Sequence, residues 1–130
     1  MNTPNDLRYT TSDEWVKVDG KIATIGISDY AQDSLSDVVF VEVTPSKGET
    51  VQKNDIVATV ESVKAAADVN SPITGKVIEI NENLPQSPEL VNSDPYGKAW
   101  MLKIELDKPA ELDKLMDAQT YLKFCEDRRH

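Results

Sequence analysis

The sequence is poor in the residues that most enzymes use for catalysis. Its 130 residues include one cysteine, Cys125, and one histidine, the terminal His130, in a tail that we expect to be mobile. The chain therefore offers no Cys–His pair, no Ser–His–Asp set and no His-rich metal site. It also lacks a Walker A loop and a G-x-G-x-x-G motif. Catalysis by carboxylates alone has no support beyond the abundance of Asp and Glu, so we expect any chemistry to depend on a group that is brought in.

Long apolar runs and positive charge are also scarce. No apolar run approaches the roughly 20 residues that cross a bilayer, and residues 1–8 lack the patterns of a signal or transit peptide. The formal net charge of −9 disfavours nucleic acid and anionic membranes as partners, and it favours docking onto basic protein surfaces. With one cysteine and no internal disulfide, we expect a cytoplasmic protein, or a mitochondrial matrix protein if a transit peptide has been removed.

Strand patterns dominate the chain. Its length predicts one domain over residues 1–130, and its hydrophobic share of 39% is that of a globular protein. Asp19-Gly20 is a two-residue hairpin signal, and Gly75 is expected to permit a close turn or a positive φ. The predicted strands cover residues 15–18, 21–25, 38–43, 55–61, 66–69, 75–80 and 99–106. These patterns predict a mainly β sandwich.

Helical patterns are confined to two places. Residues 28–35 open with Ser28 as an N-cap, and a C-terminal segment over about 109–127 carries apolar residues at helical spacing. We expect those residues to pack on the sheets, and Trp15 and Trp100 to lie in the core. Cys125 is expected to be an inert thiol, because no histidine or fixed cation is identifiable beside it.

Lys64 lies at the predicted reversal between two extended runs, in a hairpin over about residues 56–70. A lysine at such a tip projects its amine from a stiff support, which would let a modifying enzyme select it among eleven lysines. Taken alone, a lysine at a hairpin tip is usually an ordinary solvated residue.

The wider context of Lys64 resembles a known family. The run E-S-V-K-A at 61–65 is similar to a lipoyl attachment hairpin, and the chain from about Arg8 to Phe124 is similar to the H-protein of the glycine cleavage system. The other motifs in this order are R-Y-T at 8–10, E-W-V at 14–16, A-T-I-G-I-S-D-Y-A-Q at 23–32, D-V-V-F-V-E at 37–42, D-V-N-S-P at 68–72, P-E-L-V-N at 88–92 and D-P-Y-G at 94–97.

Two other kinds of carrier domain also attach their cofactor to a lysine in a hairpin, and this sequence resembles them less closely. Biotin carriers normally place the lysine between methionines, where this chain has Val63 and Ala65. Lipoyl domains of 2-oxoacid dehydrogenases usually have an aspartate before the lysine, lack the extra N-terminal hairpin and lack the C-terminal helices.

The resemblance implies a barrel-sandwich hybrid, the flattened sandwich of lipoyl and biotinyl domains, with a short helix in the N-terminal half and C-terminal helices. It also implies lipoic acid attached to Lys64 by a lipoyl ligase or transferase. The carrier would take an aminomethyl group from glycine decarboxylase (P-protein) to the aminomethyltransferase (T-protein), and reducing equivalents to dihydrolipoyl dehydrogenase (L-protein). Such a carrier is not itself catalytic, binds no metal, and is expected to be a monomer.

The resemblance also assigns secondary roles. Ser12, Glu14 and Asp68 map onto a cleft that would shelter the loaded arm, although Glu14 and Asp68 could instead be ordinary solvated carboxylates and Ser12 a turn or cap residue. Glu61 would aid recognition by the ligase. Asp13 stands where many family members have histidine, and it is expected to make the cleft rim more negative. The loop over 44–48 is one residue longer than usual.

Three alternatives remain open at this point. A lipoyl relay would donate its group to other lipoyl proteins, and the sequence barely separates it from a carrier. An unmodified interaction domain would keep the fold without the cofactor, which the intact E-S-V-K-A run disfavours. The third alternative is an enzyme that acts alone through Glu14 and Asp68, and the only feature that supports it is the abundance of carboxylates.

Overall fold

The chain folds into two antiparallel sheets. The structure is a computed structural model that describes residues 1–128, so the expected mobility at His130 lies outside the described residues. Within that range the strands are β1 Arg8–Tyr9, β2 Glu14–Asp19, β3 Ile22–Ile27, β4 Val38–Val43, β5 Thr50–Val51, β6 Ile56–Ser62, β7 Ala66–Asn70, β8 Gly75–Ile80 and β9 Leu102–Leu106. Six form a sheet in the order β1-β2-β3-β9-β8-β5, and three form a sheet in the order β4-β6-β7.

The core lies between these sheets. Ile25 and Ile104 of the larger sheet belong to the same buried cluster as Val41, Val57 and Val60 of the smaller one. Period-two alternation places Ile25, Ile104, Val41 and Val60 on the inner faces, where burial of apolar area stabilises the sandwich. Val57 breaks the alternation and joins them at the irregularity in strand pairing between Ile56 and Ala58. The predicted mainly β sandwich is confirmed.

The helices follow the two predicted segments, with one break. Helix α1 covers Asp29–Leu35 and is capped by Ser28, whose Oγ accepts the Ala31 N–H at 3.2 Å, as predicted. Besides a 3-10 turn at Leu84–Gln86 and a short helix α2 at Leu90–Ser93, the structure has a 3-10 segment at Pro109–Lys114 and helix α3 at Ala118–Arg128.

The predicted C-terminal segment is interrupted because Met116 joins the sheet edge. Its backbone exchanges two hydrogen bonds with Tyr9, of 2.8 and 2.9 Å. This pairing holds the chain in an extended conformation between the 3-10 segment and α3. Only the second part of the segment is therefore α-helical.

Several strand boundaries differ from prediction by one to three residues, and the two-residue strands β1 and β5 were not predicted. The first hairpin turns at Gly20-Lys21, not at Asp19-Gly20, because Asp19 pairs with Ile22; Gly20 takes a φ of +63°, which suits the first central position of a type II′ turn. The last strand begins at Leu102, because the N–H of Trp100 donates to the Gly97 carbonyl in a turn.

Aromatic residues form a second cluster beneath α3. Tyr9 and Tyr121 stack with their ring centroids 4.5 Å apart. Trp15 is 1% exposed and its Nε1–H donates to the Pro95 carbonyl at 3.0 Å, so its predicted core position is confirmed. Trp100 is only partly buried at the edge of this cluster. The cluster fastens α3 and β2 to one another.

Candidate functional site

The turn between β6 and β7 presents Lys64 on a fixed backbone. The Ser62 N–H donates to the Ala65 carbonyl at 2.7 Å, and the Ser62 Oγ accepts the N–H groups of Lys64 and Ala65 at 3.3 and 3.0 Å. The Val63 N–H donates to the Asp37 carbonyl at 3.1 Å. Serine side chains commonly hold turns in this way. Every backbone N–H of the turn therefore has a partner.

The Lys64 side chain extends from this turn into solvent. Lys64 and Ala65 are exposed, and Val63 is 69% exposed. Over residues 1–128, no carboxylate forms an ion pair with the Lys64 ammonium. The amine is therefore accessible, and its acylation would break no salt bridge of the described chain. Lys21, an exposed lysine in the β2–β3 turn, offers a comparison within the same molecule.

Ser12, Glu14 and Asp68 are brought together in one cleft of about 180 Å³. The start of β2, helix α1 and the strands β6 and β7 form its walls. Asp68 is the third residue of β7, roughly 7 Å along the strand from Ala66 at the end of the turn. The remaining lining residues are Asp13, Ile27, Ala31, Ser34, Leu35, Val60, Ala67 and Val69. The cleft and the Lys64 turn thus share the β6–β7 hairpin.

Glu14 supplies a buried carboxylate to the cleft, with 1% of its surface exposed. Its Oε1 accepts hydrogen bonds from Thr10 Oγ1 at 2.6 Å and Ser12 Oγ at 2.7 Å, and its Oε2 accepts the Asn70 N–H at 3.2 Å. Burial raises the pKa of Glu14, because it disfavours the charged form, and the three hydrogen bonds oppose that rise. The loop before β2 and the end of β7 therefore hold the carboxylate in one orientation.

Two of these partners were missed by sequence reasoning. Thr10 precedes the acid in T-T-S-D-E, a hydroxyl-rich run of the kind that forms side-chain bonds in turns, and this pattern could have indicated it. The Asn70 amide reaches Glu14 only because the end of β7 docks beside the start of β2. No local pattern encodes that contact.

Glu61 lies outside the cleft. It follows Val60 on β6, and Val60 lines the cleft. Because successive strand residues point to opposite faces, Glu61 lies on the other face of the sheet, near the base of the Lys64 turn. Its carboxylate is exposed and can be reached by a protein that docks on the turn.

Comparison with known proteins identifies the family. The model of the glycine cleavage H-protein family matches residues 7–128. The chain belongs to that family. A glycine cleavage system H protein from Carboxydothermus hydrogenoformans is 51% identical over 124 residues, covering 95% of each chain. The mitochondrial H protein 2 of Arabidopsis thaliana is 54% identical over 122 residues, covering 94% of this chain and 78% of the plant protein.

A solved structure agrees with the family assignment. The crystal structure of an H protein from Mycobacterium marinum superposes with a TM-score of 0.83 at 30% identity, covering 92% of this chain and 96% of the other. The match covers most of the chain, so this member of the family has the fold that the resemblance implied. The relatives come from bacteria and from mitochondria. Within the described part of the chain, no helix combines the length and apolar character needed to cross a membrane.

Asp13 departs from the expectation drawn from the sequence. The expected increase in negative charge at the cleft rim is wrong, because the Arg128 guanidinium pairs with the Asp13 carboxylate at 2.6 and 3.2 Å. The same ion pair raises the pKa of Arg128 above its usual value. Asp13 is therefore a neutralised structural acid in this chain.

Cys125 also has a neighbour that sequence reasoning missed. It lies on α3, as predicted, and is fully buried. The Arg128 Nη2 is 3.3 Å from its Sγ, so the expectation that no fixed cation lies beside this thiol is wrong. The arginine follows the cysteine by three positions, which places both on one face of the helix.

Proposed function

We propose that this chain is the lipoyl-bearing carrier of the glycine cleavage system, with lipoic acid joined by an amide bond to Lys64. The observation that carries the proposal is the exposed lysine on a turn whose N–H groups are all hydrogen-bonded, beside a cleft with a buried carboxylate. Membership of the family supports it. The domain is proposed to comprise residues 1–130.

The residues around Lys64 fit the cofactor. Its amine is free of ion pairs over residues 1–128, and the stiff turn gives a ligase or transferase a defined shape to bind. Glu61 is proposed as part of that recognition surface, because it is exposed at the base of the turn. When bound, lipoic acid supplies the redox and group-carrying chemistry. The protein would position the lipoyl arm and shelter the group that it carries.

The cleft is suited to a small cation. A carboxylate has about four acceptor positions, and Glu14 uses three of them for Thr10, Ser12 and Asn70. One position is left for the ammonium of a carried aminomethyl group. Asp68 borders the cleft from β7 and, by its pairing with Thr59, lies on the exposed face of the hairpin that also carries Glu61, so its carboxylate adds negative charge at the rim of the cleft. Charge-assisted hydrogen bonds of this kind hold a cation and limit its access to water.

The proposed partners are the P-protein, the T-protein, the L-protein and the enzyme that attaches lipoate. The chain itself would be a non-catalytic monomer that works in the compartment of those enzymes, the bacterial cytoplasm or the mitochondrial matrix. Its role would be to carry the aminomethyl group from the P-protein to the T-protein and reducing equivalents to the L-protein.

Intact-mass analysis after incubation with a lipoyl ligase, ATP and lipoate tests the attachment site. The wild-type chain is expected to gain one lipoyl group, mapped by peptide analysis to Lys64, and Lys64→Arg is expected to gain none. Lys21→Arg is the matched control, because Lys21 is also exposed in a tight hairpin turn; it should be modified like the wild type. Modification of Lys64→Arg at another lysine, or an unmodified wild type, would refute the proposal.

Reconstituted glycine decarboxylation separates a carrier from a relay. The lipoylated chain is expected to support release of CO₂ from glycine by the P-protein, and Lys64→Arg is expected not to. A lipoylated chain that fails in this assay, yet gives its lipoyl group to a second lipoyl protein in the presence of a transferase, would be a relay.

A further inference from the structure

Arg128 joins the end of helix α3 to the loop before β2. Its Nη2 donates to Asp13 Oδ1 at 2.6 Å and its Nη1 donates to Asp13 Oδ2 at 3.2 Å. The guanidinium also lies over the rings of Tyr30 and Phe124, 4.1 and 4.3 Å from their centroids. The side chains of Arg128 and Asp13 are only 29% and 17% exposed. This is a fixed, two-point ion pair between positions 115 residues apart.

Asp13 connects this ion pair to helix α1. Its carbonyl oxygen accepts the Ser28 N–H at 2.9 Å, and its Oδ1 accepts the Tyr121 hydroxyl at 2.7 Å. The Tyr121 oxygen lies 2.6 Å from Ser28 Oγ, which caps α1 through the Ala31 N–H. Asp13 also has a φ of +74°, a left-handed conformation that aspartate tolerates better than most residues.

These contacts fix two walls of the cleft. Ser12 and Glu14 are the immediate neighbours of Asp13, and Ala31 and Leu35 line the opposite side from α1. No residue of α3 lines the cleft within the described chain, yet α3 supplies both the Arg128 and the Tyr121 bonds to Asp13. The helix thus acts on the cleft from behind its walls, through Asp13 on one side and through Ser28 and Tyr30 at the start of α1 on the other.

We propose that Arg128 is a positioning residue of the carrier cleft: its ion pair with Asp13 holds the Ser12–Glu14 wall against the first turn of α1. The inference rests on the proposed function, because the cleft matters only if it shelters a carried group. Without the guanidinium, the Asp13 carboxylate is left mostly buried with one hydroxyl donor, and it gains by turning toward water. That movement shifts Ser12 and Glu14, whose side chains are bonded at 2.7 Å.

The Lys64 turn is independent of this ion pair. Its hydrogen bonds involve Ser62, Ala65 and the Asp37 carbonyl, none of which contacts Asp13 or Arg128. Loss of the ion pair should therefore leave lipoylation unchanged and affect only what the cleft does afterwards.

The first test needs no cofactor. Arg128→Met keeps an apolar side chain against Tyr30 and Phe124 and removes the guanidinium, while Asp13→Asn keeps a residue that tolerates positive φ and removes the charge. The Ser28 N–H donates to the Asp13 carbonyl and the Asn70 N–H donates to the Glu14 carboxylate. In ¹H–¹⁵N spectra of the unmodified protein, both variants should shift the resonances of these two amides and leave that of the Lys64 amide unchanged. Lys123→Met, an exposed change on the same helix, should shift neither. Unmoved Ser28 and Asn70 amides in Arg128→Met would overturn the proposal.

The second test uses the loaded carrier. After lipoylation and loading by the P-protein with glycine, the aminomethyl group should be lost to hydrolysis roughly three- to tenfold faster from Arg128→Met than from the wild type. Lys123→Met should match the wild type, and Arg128→Lys, which keeps the charge without the two-point geometry, should fall between them. The effect should shrink in a Glu14→Gln background, because both changes act on the same wall.

The outcomes separate the two proposals. If the wild-type protein is not lipoylated at Lys64, the proposed function is wrong. The amide shifts would then decide by themselves whether Arg128 positions the Ser12–Glu14 wall. Equal hydrolysis from Arg128→Met and wild type, or an effect fully additive with Glu14→Gln, would overturn the positioning role. If Arg128→Met does not fold, the amide shifts and the hydrolysis rate are measured on Asp13→Asn and Arg128→Lys instead.

Discussion

Ser62→Ala removes the hydroxyl that holds the Lys64 turn. The lost contacts are the hydrogen bonds that Oγ accepts from the N–H groups of Lys64 and Ala65, at 3.3 and 3.0 Å, and the one that it donates to the Ala65 carbonyl at 3.2 Å. A hydrogen bond contributes about 0.5–1.5 kcal/mol net, and the exposed turn lets water replace much of this set, so we expect a total cost of about 1 kcal/mol. If a ligase must bind the ordered turn, this cost corresponds to a roughly fivefold lower kcat/KM for lipoylation.

The assay is the initial rate of lipoylation at limiting concentrations of the carrier, together with thermal unfolding. Ser62→Thr should keep most of the wild-type rate, because it retains an Oγ. Ser46→Ala is the matched control: it deletes the same atom from an exposed serine of another loop, and it should leave both rate and Tm unchanged. If Ser62→Ala lowers Tm by about 4 °C while kcat/KM stays at the wild-type value, the turn's order is irrelevant to the ligase and the reasoning is refuted.

Two further predictions concern stability. Gly75→Ala should destabilise the protein by on the order of 3 kcal/mol, since a Cβ there would overlap the Glu105 carbonyl oxygen of the paired strand; chemical denaturation measures this, and Gly48→Ala, with open space but a φ of +97°, should cost only about 1 kcal/mol. Because burial raises the pKa of Glu14, the folded state retains a proton that the unfolded chain loses near pH 4. The unfolding free energy of wild type relative to Glu14→Gln should therefore fall as the pH rises through the folded-state pKa; a difference that grows with pH would contradict the assigned shift.

Features encoded locally could be predicted from the sequence. The Ser28 cap and the strand–turn–strand pattern around Lys64 each depend on residues within a few positions of one another, and the structure has both. The predicted alternation of β8 holds only in part, because its pairing with β9 is irregular between Val77 and Glu79. Gly75 was correctly assigned a structural role, but for another reason: its φ is not positive, and what requires glycine is the close approach of the Glu105 backbone. That approach depends on the β8–β9 pairing, which lies beyond local reasoning.

Contacts between distant segments could not be predicted. The Asp13–Arg128 pair spans almost the whole chain, and nothing near either residue indicates the other. The same holds for the Asn70 amide at Glu14 and for the break before α3, which Met116 causes by pairing with Tyr9. In each case the packing of whole elements brings a polar group to its partner, and no neighbouring sequence encodes the contact.

Glu14 shows why such distant contacts matter for a carrier. A buried carboxylate costs stability unless donors compensate it, and a carboxylate with all acceptor positions filled by the protein could bind nothing else. In this chain the donors come from a loop and from the end of β7, while Asp13 and Arg128 hold that loop in place. The arrangement keeps the carboxylate oriented and leaves it one acceptor position, which is what the proposed binding of a carried ammonium requires.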